Sequence, residues 1–201
     1  MRRLSFALFF AISVAAAVPA LATETQPKPN YYPLSEGAKW YYKVEAPGAV
    51  GETYVVQAVK AETIDGVSLF RIETAKKGQD PISEHIRSDD TGVFRHRAKG
   101  IAINKPICLL KYPVKVGEKW EDEVEVAGQK FTMKMEVTKE EEVAVPAGKY
   151  KTVAVRATAA IGGVEVITTY WFADGVGIVK QSTDISGQHF SQELEKYEKG
   201  K

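Results

Sequence analysis

Few side chains in this 201-residue chain are of a type and spacing that could do chemistry. There are three histidines, His85, His96 and His189, and no H-E-x-x-H, C-x-x-C, G-x-S-x-G or P-loop pattern. The best metal candidate is the run His85-Ile86-Arg87-Ser88-Asp89-Asp90 followed by His96. If the turn between them closed, the imidazoles of His85 and His96 and the carboxylate of Asp89 would suit a divalent cation. Asp89-Asp90-Thr91-Gly92 is also an ordinary turn sequence, so the expectation is no metal and no cofactor. Paired-carboxylate catalysis would draw on Glu121-Asp122-Glu123 or Glu140-Glu141-Glu142. Adjacent carboxylates in a strand point to opposite sides, so both runs read as solvated faces and turns. The only cysteine, Cys108, excludes an internal disulfide and, within Pro106-Ile107-Cys108-Leu109-Leu110, reads as a small buried hydrophobe. No catalytic residue is assigned.

What remains is a set of large apolar side chains: Trp40, Tyr42, Trp120, Phe131, Met133 and Met135. They are the candidate ligand-binding residues, since aromatic rings and adaptable thioethers line apolar sites. The elements that must position them are strands. In Phe131-Thr132-Met133-Lys134-Met135-Glu136-Val137 the apolar residues point one way and the polar residues the other. Trp40, Tyr42 and Val44 alternate with Tyr41, Lys43 and Glu45, and Val153, Val155, Ala157, Ala159 and Ile161 line one face of a later strand. Turn residues tolerant of positive φ stand at Asp65-Gly66, Ala127-Gly128, Gly162-Gly163 and Asp174-Gly175, with Pro47-Gly48 as a further turn. The pattern predicts an all-β fold: an antiparallel meander of about ten strands forming an open or closed barrel or a curved sheet. The charge-alternating tail from Glu193 to Lys201 reads as a last, fraying edge strand.

An internal repeat is the most informative feature. Tyr32-Pro33-Leu34-Ser35-Glu36-Gly37-Ala38-Lys39-Trp40 and Tyr112-Pro113-Val114-Lys115-Val116-Gly117-Glu118-Lys119-Trp120 share Y-P-x-x-x-G-x-K-W. Asp89 to Arg95 and Asp174 to Lys180 share D-x-x-G followed by two apolar residues and a base. Two sequence-similar halves, about 31–105 and 111–197, within one domain spanning 23–201 are expected, with Trp40 and Trp120 as equivalent core residues. The second copy, Asp174 to Gly177, has no flanking histidines, which weighs further against a metal centre.

The order of three segments carries a family resemblance: Pro113 to Trp120, then Val145-Pro146-Ala147-Gly148-Lys149-Tyr150-Lys151-Thr152-Val153, then Tyr170-Trp171-Phe172-Ala173-Asp174-Gly175-Val176-Gly177-Ile178-Val179-Lys180. This order resembles secreted bacterial β proteins related to domain of unknown function 3108, whose relatives resemble the curved β-sheets of periplasmic lipoprotein carriers. The resemblance implies a cell-envelope location and no catalytic residues.

Export is expected independently. Arg2 and Arg3, the apolar run Leu4 to Val18 and Ala20-Leu21-Ala22 form a signal-peptide pattern over residues 1–22. The run is shorter than the ~20 residues of a spanning helix, and no cysteine follows to carry a lipid, so neither a transmembrane nor a lipid anchor is expected. The whole chain has 27 Lys+Arg against 26 Asp+Glu, which leaves no basic footprint for nucleic acid. The sequence therefore favours an exported periplasmic or extracellular, non-catalytic module whose partner is a lipid or other apolar ligand, or an envelope protein. The alternative is an enzyme with dispersed catalytic residues. Oligomeric state is left open.

Overall fold

The structure, a computed structural model, describes residues 28–47, 52–76 and 79–201; the expected signal segment, 1–22, lies outside them. Five two-residue turns set the architecture of the described residues. In Asp65-Gly66, Lys99-Gly100, Ala127-Gly128, Gly162-Gly163 and Ser186-Gly187 both residues have positive φ, between 51° and 83°. That is the signature of type I′ turns, whose twist matches the strands they join.

The strands so connected are β1 (Lys39–Glu45), β2 (Glu52–Ile64), β3 (Val67–Ala75), β4 (Ile82–Asp89), β5 (Gly92–Ala98), β6 (Ile101–Lys111), β7 (Lys119–Val126), β8 (Gln129–Val145), β9 (Gly148–Ile161), β10 (Val164–Ala173), β11 (Gly177–Ile185) and β12 (Gln188–Glu198). Twelve strands replace the expected ten or so. The turns at Lys99-Gly100 and Ser186-Gly187 were not anticipated, because neither Lys nor Ser prefers positive φ and only the following glycine marks them.

Each strand pairs with its sequence neighbours, and β12 pairs with β1, closing an antiparallel barrel. The C-terminal segment is therefore a fully paired strand and not the edge expected: Trp40 stands opposite Tyr197, and Lys43 opposite Glu193. Closure abolishes both sheet edges at once.

The two copies of the Y-P-x-x-x-G-x-K-W motif make the same backbone bonds. Gly37 N donates to Ala58 O (3.2 Å) and Ala58 N to Ala38 O (3.0 Å); Gly117 N donates to Val137 O (2.7 Å) and Val137 N to Glu118 O (3.0 Å). A β-bulge follows each acceptor strand position, between Ala58 and Lys60 and between Val137 and Lys139.

Inside the barrel, alternate residues of nearly every strand pack into a main core containing Ile72, Ile86, Leu110, Val124, Met135, Val155 and Phe172. A second cluster joins Ala38, Trp40, Tyr42, Ala58, Val145, Ala173, Val179 and Leu194. The segment ahead of β1 closes one barrel end. Asn30 N donates to Asp174 Oδ1 (2.6 Å), Gly175 N donates to Asn30 O (2.9 Å), and buried Tyr32 stacks on Trp40 with ring centroids 5.7 Å apart.

Candidate functional site

The six candidate ligand-binding residues do not form one site. Trp40 and Tyr42 lie on β1, while Trp120 lies on β7 and Phe131, Met133 and Met135 on β8; β1 and β7 are six places apart in a ring of twelve, on opposite walls. Trp40 and Tyr42 are also spent on packing. Trp40 is fully buried, stacked between Tyr32 and Tyr197, and its indole Nε1 donates to Val176 O at 2.6 Å. The Tyr42 hydroxyl donates to Ile178 O at 2.7 Å, and burial holds that phenol well above its usual pKa. Met135 is buried as well.

Trp120, Phe131 and Met133 differ: they pack against the main core yet are only half-buried. Strand register explains their grouping. Trp120 faces Met135, Asp122 faces Met133 and Val124 faces Phe131, so β7 and β8 present one continuous inner surface. The same rows continue around the wall, from Met135 to Ala157, Thr168 and Thr183, and from Met133 to Ala159 and Val166. Thr168 and Thr183 hydroxyls are 3.1 Å apart, and Gln192 Nε2 donates to Gln181 Oε1 at 3.2 Å. Apart from the Asp122 carboxylate, the wall is thus apolar at β7 and β8, and it is hydroxyl- and amide-bearing at β10 to β12.

Beside this surface the barrel wall is interrupted. Strands β6 and β7 share a single ladder pair, Ile103 with Val126, whereas β12 and β1 share seven. Side chains replace the missing backbone bonds. Trp120 Nε1 donates to Cys108 O (2.9 Å), Cys108 N donates to Asp122 Oδ2 (3.4 Å) and Glu125 N donates to Asn104 Oδ1 (2.6 Å). Lys105 Nζ lies 2.8 Å from Asp122 Oδ1, and Lys111 pairs with Glu118 at 3.0 Å. Pro106, in the middle of β6, has no N–H to give a ladder. A groove of about 370 Å³ runs along the outward row of β7 and β8 at the seam, lined by Asn104, Glu123, Glu125, Lys130 and Thr132 with Val124 and Phe131.

Sequence reasoning missed this seam, and it misjudged Asp122. Glu121 and Glu123 are exposed as expected, but Asp122 points the other way and is buried. The signal was present: Asp122 occupies an inward register position between Trp120 and Val124. Cys108, half-buried at the same seam, has its thiol pushed up to about 12 by burial and by nearby Asp122, so it is protonated and unreactive at neutral pH. A larger groove, about 610 Å³, is lined by Lys119, Glu121, Lys134, Glu136, Arg156 and Glu165 as well as Trp120. Its charges neutralise one another: Glu136 binds Arg156 at 2.5 Å and Lys119 at 3.5 Å.

The structure does not assemble the His85, Asp89 and His96 set. His85 Nε2 lies 3.0 Å from Glu62 Oε2. Asp89 turns back to cap its own turn, accepting from Thr91 N at 2.8 Å and from the Thr91 hydroxyl; against the raising effect of burial, these bonds hold its pKa down. Among the described residues no three His, Cys, Asp or Glu side chains are placed to hold a metal ion. One further polar group lies within the wall: Arg95 Nε donates to Glu84 Oε2 at 2.7 Å. Burial would lower the Arg95 pKa, but Glu84, Tyr170 and Tyr32 hold it up, and burial raises that of Tyr32. An ion pair of this kind can orient a ligand.

Two solved structures share this fold. A candidate lipoprotein from Parabacteroides distasonis ATCC 8503 superposes with a TM-score of 0.58 at 13% identity, over 86% of this chain and 100% of that one. A candidate exported protein with YmcC-like fold from Bacteroides fragilis NCTC 9343 gives 0.52 at 15% identity, with the same coverage. At these identities the likeness is one of fold. No family model matches the chain, and no curated protein matches it in sequence. The resemblance to domain of unknown function 3108 thus has no counterpart at the family level; the coarser likeness to exported bacterial β proteins is the one that the solved structures share.

Proposed function

We propose that this protein is an exported, non-catalytic β-barrel module that binds an apolar or amphipathic ligand against the inner surface of β7 and β8. The observation that carries this reading is the inward, half-buried group Trp120, Phe131 and Met133, continuous around the wall with the Thr side chains of β10 and β11. Side chains that point into a barrel are ordinarily covered by one another; incomplete cover over two aromatics and a flexible thioether suits a guest chain. Export is supported by the signal-peptide pattern of residues 1–22 and by the fold shared with the two bacterial proteins described above. The matched backbone bonds around Gly37 and Gly117 support a single domain made of two six-stranded halves, β1–β6 and β7–β12.

The barrel reads as a water-soluble container and not a lipid-facing one. Its outer surface carries paired charges such as Lys180 with Glu193 and Arg156 with Glu136, and Arg71 with Glu73, which would be costly in a bilayer. A thermal-shift series with fatty acids, lysolipids and a chelator tests the reading. A ligand that binds only the folded state raises the melting temperature with the logarithm of its concentration. No shift with any lipid overturns the proposal, and a large fall with chelator would restore the His85, Asp89 and His96 site.

A further inference from the structure

We infer that the β6–β7 seam is a gate in the barrel wall through which a single fatty acyl chain reaches the inner surface of β7 and β8. The inference rests on the ligand-binding reading and adds the route to it. Repetition within the chain makes the seam informative. If β1 corresponds to β7, then β12 corresponds to β6, so the seam has a fully laddered counterpart with seven pairs. Nothing in the architecture requires it to be open; Pro106, Trp120 and Asp122 make it so.

The seam is built to part at one end. At the other, β6 and β7 are joined by residues 112–118 and tied by Lys111 and Glu118, which forms a hinge. The free end is the tip of two hairpins, at Lys99-Gly100 and Ala127-Gly128, and is held by the pair Ile103 and Val126, the Asn104 to Glu125 bond and the Asp122 to Lys105 ion pair. Exposed strand edges ordinarily recruit another strand, but here the amide and carbonyl of Cys108 are already capped by Asp122 and Trp120. A peptide strand would have to displace both caps. An acyl chain has no such requirement, because it needs no backbone partners and gains from apolar surface alone. The lip supports this guest: Ile101, at the hairpin tip, is an apolar side chain 43% exposed.

The test uses cis-parinaric acid, a fluorescent polyene fatty acid, with the full chain in stopped-flow and equilibrium titrations. Asn104→Cys and Glu125→Cys, combined with Cys108→Ser, place a disulfide across the free end, because Asn104 and Glu125 stand opposite each other next to the ladder pair. Oxidation is expected to slow both association and dissociation at least tenfold relative to the same protein reduced, and Asp122→Asn is expected to speed both. Equal rates in the oxidised and reduced forms, with binding retained, overturn the gate and leave the binding reading standing. Absence of binding by the unmodified chain overturns both.

Discussion

Trp40 and Trp120 occupy equivalent places in the repeated motif but different surroundings, so truncating each separates the motif from its environment. Trp40 is fully buried between two stacked rings and bonds Val176 O at 2.6 Å. Replacing a buried Trp by Ala costs about 3–5 kcal/mol through lost burial and the residual cavity. The orphaned Val176 carbonyl adds about 1 kcal/mol, so Trp40→Ala should cost about 5 kcal/mol. Trp120 is only half-buried, so its truncation forfeits less burial, about 1–2 kcal/mol, and the orphaned Cys108 carbonyl adds about 1 kcal/mol, so Trp120→Ala should cost about 2–3 kcal/mol. Urea midpoints with unchanged slopes measure the difference. Because about 5 kcal/mol approaches the whole stability of a modest domain, Trp40→Phe is the companion. It keeps most of the ring, removes the N–H and should cost about 1–3 kcal/mol. A Trp120→Ala loss equal to or above that of Trp40→Ala would refute the burial argument, and a Trp40→Phe midpoint indistinguishable from wild type would refute the hydrogen-bond argument.

Two further outcomes follow from backbone geometry and charge. Gly92 has φ +151°, and a side chain there would run into the Leu110 carbonyl oxygen, whereas Gly37, at φ +80°, has open space around it. Gly92→Ala should therefore lose at least about 2 kcal/mol in urea unfolding and Gly37→Ala about 1 kcal/mol; the reverse order would contradict the close approach of β5 and β6. His96 has its pKa lowered from 6.5 by burial and then by Arg87 and His85. The unfolded chain thus binds this proton more readily, so the neutral-histidine contribution is complete above about pH 6.5 and is lost as pH falls through the lowered value. His96→Gln should flatten stability against pH between about 6.5 and 5, before the carboxylates titrate; an unchanged slope there would show that His96 does not drive it.

The sequence alone determined the local parts of this protein. Alternation in Phe131 to Val137 put Met133 and Met135 on the inward face, glycines after Asp65, Ala127 and Gly162 placed three hairpins, and the repeat paired Gly37 with Gly117 in equivalent turns. The strand faces and hairpins depend on residues within about ten positions of one another, where side-chain direction and turn chemistry suffice, and the repeat was legible as identity between two segments. Tertiary structure decided closure, because pairing Lys39 with Glu198 joins the two ends of the meander and no local pattern distinguishes a last strand from an edge. It also decided the site. Trp40 and Trp120 have the same motif, yet one reaches across to Val176 and the other to Cys108, so one becomes core and the other caps a broken seam. Asp122 could be recognised only from what it faces: a carboxylate is costly inside a barrel wall unless partners meet it, and Lys105 and the Cys108 amide do so only once β6 and β7 are side by side.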